Sequence, residues 1–154
     1  MTELNLPKYD CKLKIMDGKR YIFDPLRKRF VRITPEEWIR QHFVNFLICM
    51  KGVPAGRIGN EISLSLNGTK RRCDTVIYND YGMPCAIIEY KSPNIDITQT
   101  VFDQIARYNS VMKVKFLIIS NGICHYCCKI DYESVSYSFL KNIPDYHSLA
   151  IEDV

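Results

Sequence analysis

Two acidic residues and one lysine stand at the ends of two neighbouring apolar segments. Asp74 lies near the start of the first segment, while Glu89 and Lys91 close the second. Both segments are rich in β-branched and apolar residues and are bounded by turn residues, which is typical of buried strands. Side chains two residues apart on a strand point to the same face, so Glu89 and Lys91 project together. An antiparallel hairpin would bring Asp74 beside them.

Two carboxylates and an ammonium group at one end of a sheet raise the free energy of the folded state unless another group compensates. A divalent metal ion is one such compensation, because carboxylate oxygens are suitable ligands for it. A bound ion of this kind lowers the pKa of water and polarises a phosphate group. The pattern therefore indicates a candidate site for metal-dependent chemistry.

Two amphipathic segments predict helices that cover the sheet. The first begins at Thr34, which can cap it, with Pro35 at the first helical position and Glu37 completing a capping box. The second runs from Ile97 to Met112. Apolar residues recur at helical spacing in both segments. They are Ile39, Phe43, Phe46, Leu47 and Met50 in the first, and Val101, Ile105, Tyr108 and Met112 in the second.

The remaining segments alternate in polarity or form short apolar runs, as strands do. Residues 11–24 predict a hairpin around a two-residue turn, and residues 61–91 predict a three-stranded meander. Two further strands are expected at 115–120 and 123–129. The order predicts an α/β (α+β) fold with a central mixed sheet of four to five strands flanked by helices. We expect one domain over residues 1–154, with a core at about 34–130 and an N-terminal hairpin extension at 1–33.

Composition limits the class of protein but does not identify a binding partner. The chain has 154 residues, of which 47% are hydrophobic, so an ordered core is expected. No apolar run approaches the roughly 20 residues that a membrane span needs, so no membrane association is expected. Seven cysteines without a secretion signal predict reduced thiols in a cytoplasmic protein. The net charge of +4 permits nucleic-acid binding.

The acid, hairpin and acid-x-lysine order resembles the PD-(D/E)xK nuclease superfamily, with Asp74, Glu89 and Lys91 at the three motif positions. The predicted helix after Lys91 carries Gln104 and Tyr108, which match the Q-x-x-x-Y motif of the N-terminal nuclease domain of type I restriction enzyme R subunits. The resemblance extends over residues 9–144, and it implies a restriction-endonuclease-like core. Two positions depart from the pattern: Cys73 replaces the proline before the first acid, and Tyr90 separates Glu89 from Lys91.

The resemblance implies a Mg²⁺-dependent DNA endonuclease, with Mn²⁺ able to substitute. Asp74 and Glu89 would bind the metal ion, the Tyr90 carbonyl would be a third ligand, and Lys91 would position or deprotonate the attacking water. Glu61 is either a further metal ligand or an exposed acid at a strand end, and a helix-start acid such as Glu36 or Glu37 is an alternative to it. Family likeness also places Gln104 and Tyr108 among the catalytic residues, where they would orient the site; ordinary helix polarity and core packing are the alternative for these two. Four residues are assigned to the contact with nucleic acid: Arg72, Gln104, Arg107 and Tyr108.

Two short motifs allow more than one interpretation. Arg27-Lys28-Arg29 is either a phosphate-contacting patch or a solvated loop. The segment Cys124-His125-Tyr126-Cys127-Cys128 contains zinc-ligand types, but a strand would send alternate residues to opposite faces. Buried reduced thiols are therefore preferred to a zinc site.

Two classes of function remain open. One is a metal-dependent DNA endonuclease associated with restriction or defence. The other is a non-catalytic nucleic-acid-binding or assembly module with the same fold. DNA is the expected partner in both, with other restriction–modification subunits as further partners and a homodimer left open. A nuclease acting on RNA or structured DNA is a remoter alternative.

Overall fold

The computed structural model describes residues 2–151 and contains two β-sheets and three α-helices in that range. The N-terminal sheet consists of β1 (Leu13–Met16), β2 (Lys19–Asp24) and β3 (Arg29–Arg32). The central sheet consists of β4 (Ile58–Leu66), β5 (Thr69–Tyr78), β6 (Pro84–Tyr90), β7 (Phe116–Ser120), β8 (His125–Asp131) and β9 (Ser136–Leu140). The helices are α1 (Pro35–Met50), α2 (Gln99–Ser110) and α3 (Tyr146–Ala150).

The strands of the central sheet follow their order in the chain, from β4 at one edge to β9 at the other. Among the described strands of this sheet, only β6 and β7 form a parallel pair. A parallel pair needs a crossover connection, and α2 provides it between these two strands. The predicted mixed α+β class and the meander formed by β4, β5 and β6 are confirmed.

The two faces of the central sheet support separate hydrophobic clusters. On one face, Ile39, Phe43 and Leu47 of α1 pack in a cluster that includes Ile88 and Tyr90 of β6. On the other, Phe102 and Ala106 of α2 pack in a cluster that includes Ile87 of β6. Successive residues of β6 therefore face opposite helices, which directs Glu89 to the α2 side and the Tyr90 ring to the α1 side.

Helix α1 begins as predicted, and Thr34 Oγ1 accepts a hydrogen bond of 3.0 Å from the Glu37 backbone N–H. The Glu37 carboxylate does not return to the cap. It accepts hydrogen bonds from Arg27 at 2.7 Å and from Gln41 at 3.1 Å. The predicted apolar stripe is correct except at its end, where Met50 is exposed because the helix stops there.

Helix α2 is shorter than predicted, and its buried face is rotated by one residue. Thr98 caps the helix, and the buried residues are Phe102, Ala106 and Asn109. Tyr108, which the sequence pattern placed in the apolar stripe, is half exposed. The Arg71 guanidinium lies over its ring at 4.4 Å, and Arg71 Nε donates a hydrogen bond of 3.2 Å to the Tyr108 carbonyl oxygen.

Strands β3 and β9 were not predicted. The N-terminal extension is a three-stranded sheet rather than a hairpin, and the central sheet has six strands rather than four to five. Strand β9 lies at a sheet edge and most of its side chains are exposed, so its sequence has no clear buried pattern. It is stabilised by aromatic contacts to α2, since the Phe102 ring lies 4.7 Å from Phe139 and 5.4 Å from Tyr137. Within residues 2–151, no helix is long and apolar enough to cross a bilayer.

Candidate active site

The pairing of β5 with β6 brings the two predicted acids together. The register pairs Thr75 with Ile88, and one step along the same antiparallel ladder Asp74 lies opposite Glu89. Side chains at directly opposed positions of an antiparallel pair share a face, with Cβ atoms about 4.5–5.5 Å apart. The sequence prediction that Asp74 and Glu89 lie side by side is therefore supported by the strand register.

These acids border an open cleft between the central sheet and α2. The cleft has a volume of about 460 Å³ and contains five of the residues predicted to be catalytic. Its lining residues are Asp74, Glu89, Tyr90, Lys91, Gln104, Ile105, Tyr108 and Asn109. Three elements contribute them: β5 gives the first acid, the end of β6 gives the acid-x-lysine segment, and α2 gives one polar face. The four-residue spacing of Gln104 and Tyr108 places both on that face.

Glu89 holds its proton unusually strongly. The pKa of its carboxyl is raised to about 9, first by burial and then by the Asp74 charge and a side-chain hydrogen bond with Asp74. The charges of Lys91 and Arg40 oppose the rise. One carboxyl oxygen of Glu89, Oε1, is buried and has no hydrogen-bond partner among the described residues. A buried acid without a full set of partners destabilises the folded state unless a cation or a proton accompanies it.

Asp74 is held in place by the backbone of the next strand. Its Oδ2 accepts a hydrogen bond of 2.9 Å from the Tyr90 backbone N–H. Tyr90 is itself fixed, because its ring is buried and its hydroxyl lies 2.9 Å from Thr75 Oγ1. Since the Tyr90 ring packs on the α1 side, it is the Tyr90 backbone that lies beside Asp74.

Glu61 lies outside the cleft. Its carboxylate accepts hydrogen bonds from Arg40 Nη2 at 2.6 Å and from Arg72 Nε at 2.7 Å, so both oxygens are engaged by arginines. Its backbone has a φ of 57°, in the left-handed region that residues other than glycine seldom adopt. Within residues 2–151, no group of three or more His, Cys, Asp or Glu residues is arranged to hold a metal ion. The structure thus brings together Asp74 and Glu89 without Glu61.

Two residues predicted to contact nucleic acid also lie outside the cleft. Arg72 is exposed and paired with Glu61. Arg107 projects from α2 into a neighbouring groove that contains Asp103 and Tyr137. The alternative helix-start acid Glu37 pairs with Arg27 and Arg40 and does not line the cleft.

The sequence analysis assigned no role to Arg40, which is buried next to the site. It forms the short ion pair with Glu61, its guanidinium lies 5.8 Å from the centre of the Tyr90 ring, and its charge acts on Glu89. Two of its nitrogens, Nε and Nη1, have no hydrogen-bond partner among the described residues. Arg40 follows Ile39 and precedes Phe43 by one helical turn, so its place in the apolar stripe is the sequence signal that predicts a buried, paired cation.

The cysteine-rich segment forms a strand from His125 onward, whereas Cys124 precedes β8 and is exposed, contrary to the expectation of a buried thiol. Cys127 belongs to the cluster beneath α1 and Cys128 to the cluster beneath α2, which confirms the predicted alternation. His125 is used locally, with Nδ1 at 2.7 Å from Ser120 Oγ and Nε2 at 2.9 Å from the Asn5 carbonyl oxygen. All seven cysteines lie in the described range and are free thiols.

The residues of the cleft fit a hard divalent cation. Asp74 and Glu89 supply adjacent carboxylates, and the buried Glu89 Oε1 lacks a partner that such a cation would provide. Oxygen donors are the ligands that Mg²⁺ prefers, and this ion usually keeps several water molecules when few protein ligands are present. Two carboxylates and one backbone carbonyl therefore suffice for a candidate site.

The fold and the sequence lead to the same class of protein. The mixed sheet, the crossover helix α2 and the position of the cleft define an α+β domain of the type found in restriction enzyme HsdR subunits. The family profile described as type I restriction enzyme R protein N terminus matches residues 35–144, and the chain belongs to this family. A comparison with curated proteins found no match.

A solved structure supports the fold independently. It is a fragment structure assigned to an HsdR subunit of a type I restriction enzyme from Vibrio vulnificus YJ016. The two chains superpose with a TM-score of 0.55 at 19% sequence identity, over 76% of this chain and 24% of that chain. This chain thus spans about a quarter of the length of that protein, and the likeness concerns the fold.

Proposed function

We propose that the protein is a Mg²⁺-dependent DNA endonuclease domain. The observation that carries the proposal is the cleft in which Asp74, Glu89 and Lys91 converge beside the polar face of α2. Membership in the family of restriction enzyme R protein N termini makes DNA the expected substrate. Restriction–modification subunits are the proposed protein partners on the same ground.

Six of the eight residues that line the cleft have a chemical role in this proposal. Asp74, Glu89 and the Tyr90 carbonyl would hold the cation, which would supply Lewis acidity and lower the pKa of water. Lys91 orients the water that attacks phosphorus and stabilises negative charge as it develops on the phosphate. Gln104 and Tyr108 position the scissile strand from α2, with Arg71 holding the Tyr108 ring in place.

Glu89 must release its proton before it can bind a cation. Its pKa of about 9 in the metal-free protein means that cation and proton compete for the same carboxylate. Lys91 assists the exchange, because its charge lowers the pKa of Glu89. Burial of this carboxylate would therefore make cation binding pH-dependent.

The test is conversion of supercoiled plasmid DNA by the parent protein and by Asp74→Asn, in Mg²⁺ and in EDTA. The proposal predicts conversion to nicked or linear DNA by the parent in Mg²⁺ alone, and none by the variant. If the parent binds DNA but leaves it intact under all conditions, the alternative of a non-catalytic binding module replaces the nuclease.

A further inference from the structure

The positive charge of the chain is concentrated in the N-terminal sheet and its flanks. Residues 8–32 contain nine lysines and arginines and three aspartates, a net charge of +6. The whole chain carries +4, so the remainder carries −2. A local excess of this size is a physical basis for attracting a polyanion.

Strand register determines which side chains share the outward face of this sheet. Tyr21 of β2 is paired with Lys14 of β1 on one side and with Arg32 of β3 on the other. Paired residues across neighbouring strands project to the same face. The opposite face contains Ile22 and Val31, which are buried against the body of the protein. The face with Lys14 and Arg32 is therefore the one directed outward.

Aromatic rings lie between the cations of this outward face. Lys14 Nζ lies 4.2 Å from the centre of the Phe30 ring, and Lys12 Nζ lies 5.5 Å from that of Phe23. The two rings contact each other edge to face at 5.3 Å. The rings support the lysine stems and hold the ammonium groups in fixed positions. Such a surface presents an ordered array of charges to a partner.

The outward cations are free to bind a partner, in contrast to a structural cation nearby. Arg27 is largely buried and is neutralised by Asp24 and by Glu37. Lys12, Lys14 and Arg32 are exposed and form no ion pair with a carboxylate of residues 2–151. Within the fully described segment 12–32, no carboxylate occupies an outward strand position. The Arg27-Lys28-Arg29 motif thus divides into one structural cation and two exposed ones.

We propose that the outward face of the N-terminal sheet, formed by Lys12, Lys14, Lys19 and Arg32 around the aromatic rings, binds the sugar–phosphate backbone of DNA. The choice of DNA rests on the proposed function, since the same polymer enters the cleft. The basic face also leads toward the cleft, which supports DNA as its partner. Lys19 and Arg32 line a groove of about 380 Å³ that also contains Pro93, two residues after Lys91. DNA held on the basic face is thereby directed toward the loop that follows the cleft.

The test measures binding of a fluorescent DNA duplex by anisotropy in EDTA, at several salt concentrations. Lys12→Gln/Lys14→Gln is compared with Lys51→Gln/Lys141→Gln, which removes the same charge elsewhere. Each phosphate contact contributes about 0.9 to the slope of log K against log salt on duplex DNA. The test variant should therefore lower the slope by roughly 1.8 and weaken binding, while the control variant keeps the parent slope.

Equal affinities and slopes for the two double variants would overturn the proposal, as would a parent that binds no duplex. Binding of the parent and of the test variant to anionic lipid vesicles is measured in parallel. If the test variant loses binding to the vesicles but not to DNA, the proposal is overturned and a membrane surface is favoured as the partner. If the double variant does not fold, Lys19→Gln, at an exposed position, provides the same comparison. Because EDTA prevents metal-dependent cleavage, the result is independent of nuclease activity. A protein that binds DNA through this face but does not cut it would refute the proposed function alone.

Discussion

Asp74 and Glu89 occupy directly opposed positions on β5 and β6, where burial and the charge of Asp74 raise the pKa of Glu89 to about 9. This arrangement destabilises the ionised form of Glu89, because its carboxyl group is largely removed from water and the charge of Asp74 repels it. A cation in the cleft would relieve both effects. The same pair of residues therefore links the stability of the fold to pH, and it is the site that we propose for a cation.

The first prediction concerns the pH dependence of stability without metal. The pKa of Glu89 rises from 4.5 to about 9 on folding, so between these values the folded protein holds a proton that the unfolded chain has released. The free energy of unfolding should therefore fall as pH rises from about 5 to 9. Glu89→Gln cannot titrate and should flatten this dependence. Urea denaturation in EDTA at pH 5, 7 and 9 measures it, and identical slopes for parent and variant would contradict the prediction.

The second prediction separates the two roles of Asp74. Its Oδ2 accepts the backbone N–H of buried Tyr90, so Asp74→Ala leaves that donor unpaired. An unsatisfied buried donor costs about 1–3 kcal/mol. Asp74→Asn retains a side-chain oxygen at the same position and should be the more stable variant. Denaturation of both proteins in EDTA provides the comparison. An alanine variant as stable as the asparagine variant would show that this hydrogen bond does not contribute to stability.

The third prediction concerns stabilisation by Mg²⁺. A ligand that binds only the folded state raises the melting temperature in proportion to the logarithm of its concentration above its dissociation constant. Mg²⁺ should therefore raise the melting temperature of the parent, and the shift should be lost in Asp74→Asn and in Glu89→Gln. Thermal melting with and without Mg²⁺ measures the shift, with Glu36→Gln as a control outside the cleft. Equal shifts in all four proteins would place the cation elsewhere.

The sequence predicted the site better than its surroundings. Strand alternation and turn residues were enough to place Asp74, Glu89 and Lys91 together, because β5 and β6 are consecutive strands joined by a short turn. The pairing of Glu61 with arginines was not predictable in this way. It depends on Arg40, which is 21 residues away and reaches Glu61 through the packing of α1 against the sheet. Long-range ion pairs of this kind leave no periodic signal.

The apolar pattern of the sequence also failed to predict elements whose residues are only weakly buried. Strand β9 is largely exposed, and its aromatic residues pack on Phe102 of a helix that precedes it by more than twenty-five residues. In α2, Tyr108 fits an apolar stripe by type, but its ring borders the cleft under Arg71. A tyrosine can pack in a core or border a site, and the sequence does not distinguish the two until the neighbouring elements are known.

The fourth prediction compares two arginines that share one partner. Arg40 and Arg72 both bind Glu61, but the side chain of Arg40 is 5% exposed and that of Arg72 is 69% exposed. Removing one member of a buried ion pair costs about 3–5 kcal/mol, whereas an exposed pair contributes about 0–1 kcal/mol. Arg40→Ala should therefore be much less stable than Arg72→Ala. Urea denaturation measures the difference, and similar losses of stability in the two variants would show that burial of Arg40 is not important.

The fifth prediction concerns Lys91 and tests whether the cleft is the catalytic site. The measurement is the initial rate of plasmid nicking in Mg²⁺ by the parent, by Lys91→Ala and by Lys141→Ala, which removes an exposed lysine elsewhere. We predict that Lys91→Ala loses cleavage by at least about 100-fold, as expected when a general-base or charge-stabilising group is removed. Lys141→Ala should cut at the parent rate. A Lys91→Ala variant that cuts as fast as the parent would contradict the assignment of this cleft.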